Sequence, residues 1–281
     1  MRWYRCWTFA VVLVAYAALP GYAVAAAGSD TKHRAPWDDT VASWDHLHLA
    51  TSDTKAASEW YQRHIGGELT KVGQFDSVIL NERVIKFKKR PDDSGGSVGT
   101  AVAHIAFAVQ DPEVTAEQME SDGATRVSDT RYTVKLDDPW GIRIELVPGR
   151  PQKHPVLHHI RLVSPDPEAT LKWYQDVFGG RPHNTFPRPT GKSGKNPNFT
   201  GGLLYGDVWV YVYKSDAKRE PMADRGVEHL GWSFTDFRKA VDKLKAMDTK
   251  FLMEPRWGGE VVNAFIEGPD GVKIEIFQGN H

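Results

Sequence analysis

Three residues of types that bind divalent metals recur at matching points of this 281-residue chain. One is a His on a short apolar segment, His46 in DHLHLA and His159 in HHIRLV. Another is a His on a strand-like run, His104 in VAHIAFAV and His229 in VEHLGWSF. The third is a Glu four residues after a turn Gly, Gly141 to Glu145 and Gly271 to Glu275. A lone His on a strand is ordinarily a structural residue; a His, His, Glu set present twice is a metal-ligand pattern. Two imidazoles and one carboxylate on one side of a divalent ion, with zinc, manganese, nickel and iron all open, leave positions for a bidentate substrate and for water or O₂.

The register of this duplication comes from a helix. Trp60-Tyr61-Gln62 recurs as Trp173-Tyr174-Gln175, each Trp lies fourteen residues after its His, and a Gly pair follows six residues later, Gly66-Gly67 and Gly179-Gly180. Ser52 or Asp53 is a cap for a helix over 54–64, and Asp166-Pro167 opens its counterpart. Strands are expected at 45–50, 77–80, 84–88, 102–109, 131–135 and 142–147. In the second half they fall at 157–163, 201–205, 207–213, 228–234, 261–266 and 272–277. Helices after Asp111-Pro112 and over 236–247 complete four units. Alternation along a strand places His46 with His48, His159 with Arg161, and each Glu on the face opposite a mainly apolar row. Arg161 is a candidate for holding a substrate carboxylate, His48 for carrying a proton or adding a ligand. Trp209, Tyr211 and Tyr213 share a strand face suited to a pocket wall or to core packing.

Residues 1–25 read as a secretory signal peptide: Arg2 and Arg5, an apolar run from Trp7 to Leu19, and Ala23-Val24-Ala25 before the cut. The expected location is secreted or periplasmic, with no membrane attachment after cleavage. Residues 26–42 form a linker, and two domains follow at 43–149 and 156–281. Cleavage leaves 33 Lys+Arg against 36 Asp+Glu, which gives no basic excess for nucleic acid. The one Cys, Cys6, lies in the signal, so a metal site in the mature chain is limited to His, carboxylate and water. Asn198-Phe199-Thr200 fits a glycosylation acceptor, and the Pro- and Gly-rich insertion Arg188–Asn198 is a lid or a surface loop.

The pieces His46…Trp60-Tyr61, Asp138-Pro139-Trp140-Gly141-Ile142-Arg143-Ile144-Glu145, His159…Trp173-Tyr174 and Pro269-Asp270-Gly271-Val272-Lys273-Ile274-Glu275 resemble the vicinal oxygen chelate superfamily. That group includes glyoxalase I, bleomycin-resistance proteins and type I extradiol dioxygenases. The resemblance implies an α+β fold of two tandem domains, each of two βαβββ units with a curled mixed sheet around a central cavity. It places metal ligands at His46, His104 and Glu145 in the first domain and at His159, His229 and Glu275 in the second. The chain departs from the dioxygenases: no His lies between Asp207 and Glu228, and Phe265 and Lys135 stand where a Tyr is expected. It departs from glyoxalase I in having no Glu on 84–88 or 208–213. The leading expectation is a metal-dependent lyase or isomerase acting on a small molecule. The alternatives are a ring-cleaving dioxygenase and a non-catalytic binding protein of the bleomycin-resistance type.

Overall fold

The computed structural model describes residues 42–81, 83–91, 95–149, 156–183, 199–259 and 261–279. The expected signal peptide, nearly all of the linker, the insertion 188–198 and the acceptor Asn198 lie outside them. Four βαβββ units follow one another. The first is β1 (Ala42–Thr51), α1 (Thr54–Ile65), β2 (Glu68–Val72), β3 (Phe75–Leu80) and β4 (Arg83–Lys89). The second is β5 (Val102–Val109), α2 (Pro112–Ser121), β6 (Thr125–Asp129), β7 (Val134–Asp137) and β8 (Arg143–Pro148). The third is β9 (Val156–Ser164), α3 (Pro167–Phe178), β10 (Arg181–His183), β11 (Phe199–Tyr205) and β12 (Val208–Lys214). The fourth is β13 (Val227–Phe234), α4 (Phe237–Ala246), β14 (Phe251–Met253), β15 (Asn263–Glu267) and β16 (Lys273–Gln278). Among the described residues, no helix is long and apolar enough to cross a membrane.

Asp opens each of the four described α-helices by accepting from its first-turn amides: Asp53 from Ala56, Asp111 from Glu113 and Val114, Asp166 from Ala169, Asp236 from Lys239. The duplicated Gly pairs have two separate tasks. Gly66 and Gly179 end α1 and α3 at φ of 81° and 75°. Gly67 and Gly180 let the chain pass close to a strand: an added Cβ would lie 2.6 Å from the Ile79 carbonyl oxygen and 2.8 Å from the Tyr205 ring. The short strands β2, β6, β10 and β14 were not foreseen in the sequence. They are the edge strands of the two sheets, and β2, β6 and β14 bury no side chain, so they carry little burial alternation. β7 starts at Val134, later than expected, because Arg131 and Tyr132 are exposed in the turn before it.

The α+β class and the two mixed sheets, each built from two βαβββ units, are as expected; the sheets are open, and the grouping of units differs. One sheet runs β14-β15-β16-β13-β1-β4-β3-β2 and the other β10-β11-β12-β9-β5-β8-β7-β6. Each sheet therefore takes one unit from residues 43–149 and one from residues 156–281. The seams are antiparallel, β1 on β13 and β5 on β9. Helices pack within each sequence copy. Trp60 donates to the Asp122 carbonyl at 2.9 Å and Tyr61 to the Asp138 carboxylate at 2.9 Å. In the second copy Phe178 stacks on Trp232 at 4.4 Å. Strands join the copies and helices hold each copy together, so one apolar core runs through both.

This interlock has a direct test. Residues 43–149 expressed alone leave β1 and β5 as exposed, unpaired edges, which invite association. Each half alone is expected to self-associate or precipitate, and co-expression to give a 1:1 complex on size-exclusion chromatography. Two soluble monomeric halves would contradict the pairing.

Candidate metal centres

The seams put the ligand residues opposite one another. Across β1 and β13, His46 faces Gly231 and His48 faces His229; β16 brings Glu275 beside Gly231. Across β5 and β9, His159 faces Ala106 and Arg161 faces His104; β8 brings Glu145 beside Ala106. The other face of these strands carries the buried row Leu47, Leu230, Ile274 and Ile105, Ile160, Ile144.

The six expected ligands all arrive, but in exchanged sets. His46 meets His229 and Glu275, and His104 meets His159 and Glu145; the sequence-order sets are corrected because each sheet spans both copies. In the first cluster His46 Nε2 lies 3.2 Å from His229 Nε2 and 3.1 Å from Glu275 Oε2, and His229 Nε2 lies 3.3 Å from that oxygen. In the second, His104 Nε2 lies 3.1 Å from His159 Nε2 and 3.0 Å from Glu145 Oε2, and His159 Nε2 lies 3.3 Å from the same oxygen. Each triangle of three donor atoms has nearly equal sides. Linear hydrogen bonds cannot satisfy all three sides at once, because each Nε2 has one hydrogen or one lone pair. A cation about 2.0–2.2 Å from each atom satisfies all three, at the bond lengths of zinc with His and carboxylate.

His48 joins the first cluster, with Nδ1 3.1 Å from His229 Nε2. Its Nε2 is buried with no hydrogen-bond partner among the described residues. Arg161 holds the matching place in the second cluster. Its guanidinium lies 3.6 Å over the Tyr213 ring, and its buried Nε has no acceptor among the described residues. Trp209 stacks on Tyr211, which lies 5.0 Å from the His159 ring, so the expected aromatic strand does line this site. The first site is lined instead by Phe75, Phe265 and Phe277.

Sequence reading missed the residues just before the ligands. Neighbours on a regular strand point to opposite faces, yet Asp45 Oδ1 reaches His46 Nδ1 at 2.7 Å, and Glu228 bonds His229 Nδ1. The seams contain bulges at these points: Asp45 and Glu228 have no cross-strand partner, and nor do His158 and Ala103 in the second sheet. A bulge re-aims the extra side chain. His158 uses it to place Nδ1 2.9 Å from His159 Nδ1. The signal was an acid immediately before His46 and His229. Lys135, noted only as a missing Tyr, pairs with Glu145 at 2.8 Å, whereas Asn263 donates to Glu275 at 2.6 Å.

Burial favours the neutral form of four imidazoles. It pushes His48 down to about 2, helped by His229 and His46, and His159 down to about 4 against the pull of Glu145. His158 falls to about 4 through burial and His159, and His104 also falls through burial. Burial alone would raise the two carboxyls. Hydrogen bonds with the imidazoles outweigh it, and Glu145 and Glu275 are held well below the usual carboxylate range. In the second cluster, neutral His104 and His159 beside an ionised Glu145 are the protonation states that metal ligands need.

A family model described as Glyoxalase/Bleomycin resistance protein/Dioxygenase superfamily matches residues 43–146 and 156–276. The chain belongs to that superfamily. Glyoxalase I from Zea mays has a similar structure, with a TM-score of 0.66 at 17% identity over 86% of this chain and 94% of that one. A putative dioxygenase from Bacillus subtilis gives 0.59 at 15% identity, covering 84% of each chain. At these identities the likeness is one of fold. None of the curated proteins matches this superfamily member.

Two predictions follow from the geometry of this glyoxalase-superfamily chain. An added Cβ at Gly231 would lie 2.4 Å from His46 Cε1. Gly231→Ala is expected to displace that imidazole and lower stability by about 1–3 kcal/mol, read by denaturant unfolding. An unchanged midpoint would mean the ring does not lie over Gly231. The second concerns pH. The folded-state values of His48, His158 and His159 lie below the free value of about 6.5, so the unfolded chain binds more protons. Their contribution is complete above about pH 6.5 and is lost as pH falls toward 4. The Tm of metal-free protein is expected to drop between pH 7 and 5, and less steeply in His48→Gln.

Proposed function

We propose that this chain is a secreted or periplasmic glyoxalase-like metalloenzyme of the vicinal oxygen chelate type. Its reaction class is isomerase or lyase chemistry on a small molecule that presents two neighbouring oxygens. The observation that carries this reading is the pair of near-equilateral donor triangles, His46, His229, Glu275 and His104, His159, Glu145. Export rests on the basic head, apolar run and small-residue cut site of residues 1–25.

A divalent metal bound in such a site supplies Lewis acidity to the substrate oxygens. The chain supplies the rest. Arg161 is a cation with no carboxylate partner among the described residues, beside the second triangle, and suits an anionic group of the substrate. His48 lies next to the first triangle; burial holds it neutral and makes it a weak base, so it is better suited to adding a nitrogen donor than to taking a proton. Tyr211 and Tyr213 wall the Arg161 site, and Phe75 and Phe265 the His48 site, which limits water beside the reacting atoms.

Ring cleavage by a dioxygenase fits less well. Phe265 and Lys135 stand directly across from Glu275 and Glu145, where the resemblance calls for a Tyr. A binding-only protein has no use for two complete donor sets. Elemental analysis of purified protein is expected to find divalent metal, and His229→Ala and His104→Ala to lose about one equivalent each. Arg161→Ala is expected to raise KM for anionic substrates about tenfold or more through loss of a charge-assisted bond. Metal-free protein whose His and Glu variants match wild type would sink the proposal. O₂ uptake with catechols and Fe(II) would favour the dioxygenase instead.

A further inference from the structure

The two clusters share three donors but differ in nearly everything that touches those donors. Four equivalent bulge positions precede the four ligand histidines, and they hold Asp45, Glu228, His158 and Ala103. In the first sheet both imidazoles therefore have a carboxylate on Nδ1. That partner fixes the tautomer with Nε2 bare and raises its basicity, and such partners are typically worth about 10–100-fold in metal affinity. In the second sheet His159 has only another imidazole on Nδ1, and Ala103 offers His104 no side-chain partner. Glu228 is 2% exposed and paired with Lys273 and Lys88, so its orientation is fixed from both ends.

Charge points the same way. Glu145 shares its carboxylate with the Lys135 ammonium at 2.8 Å, and the Arg161 guanidinium faces the same cluster. Glu275 takes the uncharged Asn263 amide, and the Phe265 ring stands across from it where the second sheet has Lys135. Lys86 lies 3.4 Å from His46 Nδ1, but Asp45 stands on that nitrogen at 2.7 Å. His48 adds a further nitrogen within 4.8 Å of the ligand atoms of His46 and His229, where the second sheet has Arg161.

We propose that the two clusters are different in kind: the one at His46, His229 and Glu275 retains its metal, and the one at His104, His159 and Glu145 exchanges it. Asp45 and Glu228 are the positioning residues that make the difference, and the affinities differ by at least about tenfold. This rests on the metal reading above, and the test separates the two. Full-length protein stripped with a chelator is titrated with Zn²⁺ against a chromophoric competitor, and with Co²⁺ followed by its visible absorption. Two separated equivalents are expected. Glu275→Ala removes the tight one and Glu145→Ala the weak one. Asp45→Asn and Glu228→Gln each weaken the tight equivalent about 10–100-fold, shift its Co²⁺ spectrum and leave the weak one unchanged. Asp45, partly exposed at the surface, keeps the test valid should Glu228→Gln fail to fold. Two equal equivalents, or a tight equivalent lost in Glu145→Ala and kept in Glu275→Ala, would overturn the inference and leave the metal reading standing. No bound metal in any variant would overturn both.

Discussion

Two antiparallel seams join strands whose ligands lie far apart in sequence, 183 residues for His46 and His229 and 55 for His104 and His159. The donor triangles exist only while these seams keep their register. A slip of one residue in β1 would turn His46 and His48 into the apolar layer and Leu47 outward, because side chains alternate with a period of two. The buried rows resist that slip. Leu47, Leu49 and Leu230 are fully buried on the far face, so register is set by the core and the ligands follow. Trp44 and Trp232, directly paired across the seam with ring centroids 4.8 Å apart, anchor one end of it.

Bulges reconcile two demands on the same strands. A regular ladder would send Asp45 and Glu228 to the face opposite their histidines. One unpaired residue on each strand breaks the alternation once and returns it to phase, so an acid and its neighbouring His both reach one site while the apolar row continues. The same device in the second seam holds His158 and Ala103. The backbone geometry is thus duplicated where the side chains it aims are not.

Much of this was legible in the sequence, and the limits have physical causes. The Trp-Tyr helices, their Asp caps and the Gly pairs are local signals, and all lie where expected. Residue type and parity found the six donors, together with His48 and Arg161. Parity says which face a side chain takes but not which strand lies alongside. The resemblance, carried over in chain order, groups His46 with His104, whereas the sheet pairs it with His229. The roles of Asp45 and Glu228 depend on bulges, which leave no composition signal. The edge strands β2 and β6, mostly exposed, lack the alternation that would reveal them.

Comparing the two sheets position by position shows where change has been tolerated within one chain. On the apolar face Leu47 matches Ile160, Leu230 matches Ile105, Ile274 matches Ile144 and Ile276 matches Leu146, all buried and close in volume. These rows hold the sheets against the helices, and a close-packed layer accepts little but volume-conserving exchange. On the ligand face the three donors match, while every neighbour differs: Asp45 for His158, Glu228 for Ala103, His48 for Arg161, Phe265 for Lys135. Those side chains meet a site rather than a packed layer, so changing them alters charge and donor number without disturbing the core. One scaffold can therefore carry two clusters of the same donor types in different surroundings, one with a carboxylate on each imidazole among phenylalanines and one with Lys135 and Arg161 beside it among tyrosines.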